Sequence, residues 1–281
     1  LAAQTYPRMA VLGVDDGSAD DSREILEQAL GERRVIGLAG PHGMASAFRE
    51  AMEQPAASEA DLVLVLHDDA ALDPDAVQRL VEAAVGIPGL DRVGVVGCKV
   101  VDWDQPRRLL DVGRSADIFG HAYTPLQPDE IDQGQFDRVL EVLSVSPAAM
   151  LISREAWKRA GLLDERLAAD HQGLDLCWRV RLAGLRVVMM PLARTRHREA
   201  SRSGTHAPRS GRHSVRYEED RAATATMFKN YSLLSLLWVT PLALLLGSIR
   251  LLFLLLARRF EEAYDLLSAW GWNVAHLGGT F

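Results

Sequence analysis

A mainly parallel α/β sheet with helices on both faces, followed by a hydrophobic helical tail, is the architecture this sequence predicts. Three observations carry it. Through the N-terminal part of the chain, short apolar runs of strand length alternate with amphipathic stretches of helix length. One of those runs, DLVLVL at 61–66, is apolar almost throughout, as a strand covered on both faces must be. Near the C-terminus, 24 consecutive residues from Leu233 to Leu256 carry a single charge, Arg250.

The first strand is predicted at 9–14 and runs into the acidic turn Asp15–Asp16–Gly17–Ser18. A helix over 20–30 follows, with Asp20 or Asp21 as its N-cap and Ile25, Leu26 and Leu30 on its buried side. A second strand at 33–37 leads through the turn Pro41–His42–Gly43 into a helix at 45–54. The strand at 61–66 ends in His67–Asp68–Asp69, and a helix at 74–85 and a strand at 93–101 complete the regular alternation. From 102 to 140 the pattern weakens around Pro106, Pro125 and Pro128, which predicts loops and short strands bordering a site. Further strands are predicted at 143–153 and 186–190, with helices at 154–160 and 174–183 that stop at Gly161 and Gly184. Residues 201–214 are poor in apolar side chains and predict a mobile stretch.

With 281 residues, 48% of them hydrophobic and 25% charged, the chain is a folded one with room for a large α/β domain and an appendage. The division predicted is 1–214 for the α/β domain and 215–281 for a membrane-associated helical region. A net charge of −7 speaks against nucleic acid as a partner. Between Arg194 and Arg221, however, eight arginines face four acids, a local basic belt lacking interleaved aromatic residues. Cys98 and Cys177 make neither a disulfide framework nor a metal-ligand spacing, and read as core residues in a reducing compartment. Leu1 opens directly into a mixed polar stretch with no secretory signal, and the absence of an initiator Met reads as a chain incomplete at its N-terminus. Basic residues flank both ends of the apolar segment, Arg258 and Arg259 on one side and the belt on the other. That symmetry suits a hairpin or an in-plane helix with both flanks cytoplasmic better than one span.

In open α/β sheets, ligands gather at the carboxyl ends of the strands. Two acidic clusters lie at such ends, Asp15–Asp16 and Asp68–Asp69. Adjacent carboxylates repel unless a cation or donor groups face them, and oxygen ligands of this kind suit Mg²⁺ or Mn²⁺ holding a diphosphate. A helix cap or turn accounts equally for either pair taken alone.

Three segments in order, VDDGSADDS at 14–22, LHDDA at 66–70 and LLDERLAADHQGLDLCWRVRLAG at 162–184, resemble the inverting family 2 glycosyltransferases, which have the GT-A fold. The apolar tail resembles the membrane region of actinobacterial members, and the strand and helix with which the family begins have no counterpart ahead of Leu1. The resemblance implies a nucleotide-sugar donor, UDP-linked by default, and Mg²⁺ or Mn²⁺. It implies an envelope glycan or lipid-linked acceptor, and a cell-membrane location with the catalytic domain on the cytoplasmic side. Residue by residue, it implies that Asp16 contacts the nucleotide base with Asp15 beside it, that Asp68 lies near the ribose, and that Asp69 binds the metal. His197, in TRHREAS, would complete the metal shell, and 43–47 would close over the donor. The family's acidic pair before the Asp-Leu-x-Trp-Arg helix falls here on Gln172–Gly173, and neither side chain can take a proton. Asp175 is then the preferred general base and Asp170 the next, the alternative for Asp175 being a helix cap. Two other functions stay open at this point: a non-catalytic donor-binding scaffold in a membrane glycan assembly, and a nucleotidyltransferase.

Overall fold

The computed structural model describes residues 1–86, 91–167, 169–198 and 214–279. They form two compact units, one of Leu1–Arg114 with Thr124–Arg198 and the other of Ser115–Tyr123 with Glu199–Phe281. The predicted mobile stretch lies, except for Ser214, outside the described residues. In chain order the first elements are β1 (Gly13–Asp15), α1 (Ser22–Leu30), β2 (Val35–Gly37), α2 (Met44–Met52), α3 (Pro55–Ser58), β3 (Leu62–Leu66), β4 (Ala70–Leu72) and α4 (Ala76–Gly86). There follow β5 (Val93–Asp102), β6 (Leu109–Asp111), the pair β7 (Ser115–Ala116) and β8 (Ala122–Tyr123), β9 (Leu140–Glu141), β10 (Ala149–Ser153), α5 (Arg154–Ala160), α6 (Ala169–Leu182) and β11 (Arg186–His197). Three helices close the chain: α7 (Val215–Asn230), α8 (Leu233–Leu256) and α9 (Phe260–His276).

The main sheet has the order β3-β10-β5-β11-β4, with β6 on β5 and β9 on β11. β10 is antiparallel to both β3 and β5, and β5 is parallel to β11, so β3, β5 and β11 share one direction. The predicted parallel character survives as that shared direction, while β10 inserted in reverse and the short strands β4, β6 and β9 make most of the pairing antiparallel. β1 and β2 pair in parallel as a separate two-stranded sheet. The predicted strand at 9–14 shrinks to β1, and Ile25 on α1 is exposed, whereas Leu26 and Leu30 are half-buried and pack on Gly13.

Alternation along the strands builds two apolar layers, because successive side chains of a strand point to opposite faces. Val95, Met150, Ile152, Val187 and Met189 pack with Phe48 of α2, Trp157 of α5 and Leu176 and Val180 of α6. Val96, Cys98, Leu151, Val188 and Met190 pack on the other face with Ala76, Leu80 and Ala83 of α4. The sheet is therefore covered on both sides, as the continuous apolar run at 61–66 requires. Gly97 sits where a Cβ would meet the Val145 side chain at 2.3 Å, so the close approach of that loop demands a glycine. Both cysteines are buried, and burial pushes their thiols up, that of Cys177 to about 11. The irregular stretch after β5 is tied down by Lys99, which is buried in β5 and pairs with Asp132 at 3.1 Å and with Asp137.

The second unit joins the β7–β8 hairpin to α7, α8 and α9. At the hairpin turn, Gly120 has φ +86° and lies so close to α7 that a Cβ would stand 2.3 Å from the Ala223 carbonyl oxygen. His121 Nε2 lies 3.3 Å from Asp220 Oδ1, and His121 Nδ1 lies 3.4 Å from Asp117 Oδ2. Asp220 also holds Arg250, the one charge of α8, through contacts of 3.1 and 3.0 Å. Apart from its contacts with α7, α9 and the hairpin, α8 leaves Leu237, Trp238, Leu245, Ile249 and Phe253 exposed. It is the one helix among the described residues long and apolar enough to cross a membrane, with a mean hydropathy of 2.2 over its most apolar window.

The hydrogen bond to Asp220, followed by the charge of Asp117, raises the His121 pKa above its ordinary value. A raised folded-state pKa stabilises below the unfolded value of about 6.5 and the gain is lost as pH rises through the folded value. Unfolding of the second unit, followed by hydrogen exchange at α7, is expected to become easier as pH rises through that window. The His121→Asn variant is expected to be flat across it.

Candidate active site

The site is built where β3 ends and β11 ends. β3 delivers the turn His67–Asp68–Asp69, closed by the Ala70 N–H donating to the His67 carbonyl at 3.3 Å and anchored by the His67 N–H on the Ala148 carbonyl at 3.0 Å. β4 starts directly after the turn and pairs antiparallel with the end of β11, His197 opposite Ala70 and Thr195 opposite Leu72. That pairing was invisible in the sequence: β4 is three residues long, and β11 continues seven residues past the predicted end at 190. A register shift between Met190 and Arg194, the kind of irregularity that bends a strand, separates the two parts of β11. His197 is thus a strand residue, not a residue after the last strand.

The register brings the Asp69 and His197 side chains together, with His197 Nε2 2.9 Å from Asp69 Oδ1. The Arg198 N–H donates to the Asp69 carbonyl at 3.1 Å, so backbone and side chain hold the same residue. A third group joins them that sequence reading passed over. His67 Nδ1 stands 3.9 Å from Asp69 Oδ1, and the two imidazole rings meet edge to face with centroids 5.5 Å apart. The signal was available in the spacing: within the turn, 67 and 69 fall on one side and 68 on the other. Asp68 is accordingly exposed, while His67, Asp69 and His197 are partly buried. One carboxylate and two imidazoles, half-shielded and converging, are a donor set that fits a divalent transition ion.

Asp15 and Asp16 lie on the separate β1–β2 layer. Asp15 is buried and its Oδ1 accepts from the Ser18 N–H at 3.1 Å. Asp16 accepts from the His42 and Gly43 N–H groups at 2.9 and 2.6 Å, directly ahead of α2. Gly43, between this turn and α2, has φ +93°, a conformation in which only glycine is relaxed. Asp16 therefore fastens the 41–43 turn to the end of β1.

The DLCWR segment differs from expectation. α6 begins at Ala169 rather than near 174, so Asp175 lies in the second turn and is no cap. Its side chain is fully buried and pairs with Arg179 one turn later at 2.7 and 2.9 Å. The same guanidinium donates to the Ala160 carbonyl and, at 2.8 Å, to the Leu162 carbonyl, fixing the loop after α5. A buried carboxylate engaged by this guanidinium ties α6 to the end of α5. Gln172 is buried and donates through Nε2 to the Leu167 carbonyl at 3.1 Å, and Gly173 packs on Pro147. Asp170 falls in the first turn of α6, and its side chain lies outside the described part of the structure.

Residues 1–214 match the family model described as "Glycosyltransferase like family 2", and the chain belongs to that family. Over 210 residues it is 30% identical to the O-antigen biosynthesis protein RfbC of Myxococcus xanthus, a match covering 72% of this chain and 16% of that protein. It is also 30% identical over 232 residues to the uncharacterized protein y4gI of Sinorhizobium fredii, covering 78% of this chain and 24% of that one. The chain thus spans less than a quarter of the length of these relatives. Among solved structures, S. aureus TarS 1–349 in complex with UDP-GlcNAc superposes with a TM-score of 0.54 at 17% identity, covering 83% of this chain and 61% of that one. GalNAc-T7 with UDP, GalNAc and Mn²⁺ gives 0.52 at 14% identity, covering 68% and 38%. At these identities the likeness is one of fold, and the fold is the GT-A-like α/β one.

Removing the charge of Asp175 while keeping its shape leaves Arg179 without its ionic partner in the interior. Asp175→Asn is expected to lower stability by about 3–5 kcal/mol, the usual cost of breaking a buried pair from one side. Urea unfolding with an unchanged slope checks this.

Proposed function

We propose that this chain is the donor-binding and sugar-transferring part of a metal-assisted glycosyltransferase acting at a membrane. The observation that carries the reading is the convergence of Asp69 and His197 at the carboxyl ends of β3 and β11, in a chain of family 2. Asp69 and His197 are the residues assigned to hold Mg²⁺ or Mn²⁺. When bound there, a divalent ion offsets the negative charge that develops on a departing nucleoside diphosphate. The Arg198 N–H holds the Asp69 backbone, so the position of that carboxylate is set before a donor arrives.

The donor is assigned as a nucleotide sugar, UDP-linked by default, with dTDP and GDP as the alternatives. The complexes of TarS with UDP-GlcNAc and of GalNAc-T7 with UDP and GalNAc support that class. Asp16 and the turn it fastens are assigned to the nucleotide base, Asp15 to the support of that turn, and exposed Asp68 to the ribose. Transfer runs by single displacement with inversion: an acceptor oxygen attacks the anomeric carbon as the bond to the diphosphate breaks, and a carboxylate takes the hydroxyl proton. The burial of Asp175 moves that task to Asp170, with Asp175 holding α6 in place. The acceptor is assigned as an envelope glycan or a lipid-linked sugar, in keeping with the O-antigen role in the name of the M. xanthus relative.

The exposed apolar side of α8 supports membrane association of residues 215–281, with the catalytic domain, 1–214, on the cytoplasmic side. The scaffold reading is the second one, and Gln172–Gly173 at the position of the family's acidic pair is what favours it.

A screen of UDP-, dTDP- and GDP-sugars, following release of nucleoside diphosphate with Mn²⁺, Mg²⁺ or EDTA, tests the assignment. Metal-dependent release is expected, falling at least about a hundredfold in Asp69→Ala. A loss of about 10²–10⁴-fold is expected in Asp170→Asn. Donor binding without turnover, unaltered in Asp170→Asn, would establish the scaffold instead. In flotation with anionic vesicles, the chain is expected to rise with the lipid. The Leu237→Glu/Phe253→Glu double variant is expected to stay at the bottom of the gradient.

A further inference from the structure

We infer that His67 is a third protein ligand of the divalent ion, so that the chain takes up Mn²⁺ before any nucleotide arrives and prefers it to Mg²⁺. The inference rests on the metal-assisted reading above and goes beyond it in ligand number, metal choice and order of binding.

The geometry is that of a face. Candidate ligand atoms of His67, Asp69 and His197 all lie within 4.8 Å of one another. Asp69 Oδ1 is the shared vertex, 2.9 Å from His197 Nε2 and 3.9 Å from His67 Nδ1. Around a six-coordinate ion with bonds of about 2.1 Å, neighbouring ligand atoms stand about 3 Å apart and opposite ones about 4.2 Å. The Asp69–His197 pair already has the spacing of neighbouring ligands, and His67 would join it by a side-chain rotation. The orientation of His67 also favours this. Its Nε2 lies 3.0 Å from the Met44 sulfur, at the first residue of α2, so the ring is held with its Nδ1 edge on the Asp69 side. His197 is positioned by the β4–β11 ladder and His67 by the turn it closes, so the three ligands come from two rigid strand ends.

Two imidazoles change what the site selects. An all-oxygen site suits Mg²⁺, and Asp69 with His197 alone already departs from it by one nitrogen, to which His67 adds a second. Two neutral nitrogens beside one carboxylate suit Mn²⁺ and the later transition ions better, and they fill three of six positions. That would leave positions open for phosphate oxygens of a donor. Three protein ligands in place from the start also hold an ion without help from the phosphates, so metal precedes donor.

The test is Mn²⁺ titration of the intact chain without nucleotide. Free Mn²⁺ is read by continuous-wave electron paramagnetic resonance, and directly bound nitrogens by pulsed measurement of ¹⁴N coupling. The wild-type chain is expected to bind Mn²⁺ alone with two coordinated imidazole nitrogens, and Mg²⁺ is expected to displace it only in large excess. His67→Gln is expected to lose one nitrogen and at least about tenfold in affinity, with unchanged circular dichroism. A single nitrogen in wild type, or an unaltered signal in His67→Gln, overturns the role of His67 while Asp69-dependent binding with UDP or GDP keeps the metal reading intact. Absence of Mn²⁺ binding even with UDP or GDP overturns both. Because the nitrogen count is read on the wild-type chain, the outcome does not hang on whether a variant folds.

Discussion

Everything at the candidate site depends on one short stretch of sheet, the antiparallel pairing of β4 with the end of β11. Three residues of β4 and three of β11 meet in register, and that register sets His197 against the turn that carries Asp69. A slip of one residue would flip each side chain to the opposite face of its strand. The histidine would then leave the carboxylate and Arg196 would take its place. The neighbouring bonds make such a slip costly, since the Asp73 N–H donates to the Arg194 carbonyl at 3.0 Å and the Arg198 N–H to that of Asp69 at 3.1 Å. Local backbone hydrogen bonds, more than side-chain contacts, thus decide which groups meet at the Asp69 turn.

The remainder of the α/β unit supports that pairing. β5 and β11 lie side by side in the centre of the sheet, buried by α4 on one face and by α2, α5 and α6 on the other. Gly97 lets the loop at Val145 close down, and Lys99 holds the irregular stretch after β5 through two aspartates. The Asp175–Arg179 pair works in the same sense, tying the second turn of α6 to the carbonyls of Ala160 and Leu162. A charge pair of this sort is expensive to bury and stays only where its hydrogen bonds are complete, as the guanidinium's contacts here show.

The second unit solves a different problem, that of a long apolar helix bearing one charge. Asp220 on α7 receives Arg250 of α8, and His121 from the β7–β8 hairpin joins the same carboxylate. α8 therefore has a polar anchor on its inner side and an apolar outer side, the distribution that suits contact with lipid on one side only.

The sequence alone determined the elements whose signal is local. The apolar run at 61–66, the helix and stop at 154–161, and the 24-residue apolar segment all lie where periodicity and caps put them. The order of the acidic motifs was equally legible, and so was membership of the family, because motif spacing is a one-dimensional property. Tertiary structure alone decided the partners. A three-residue strand such as β4 has no periodicity to read, and the seven extra residues of β11 are held in the sheet by pairing with it rather than by their own propensity. His67 came to the site, and Asp175 became a buried structural acid, for the same reason. Both outcomes depend on distances between residues far apart in the chain, which turn geometry and sheet register set.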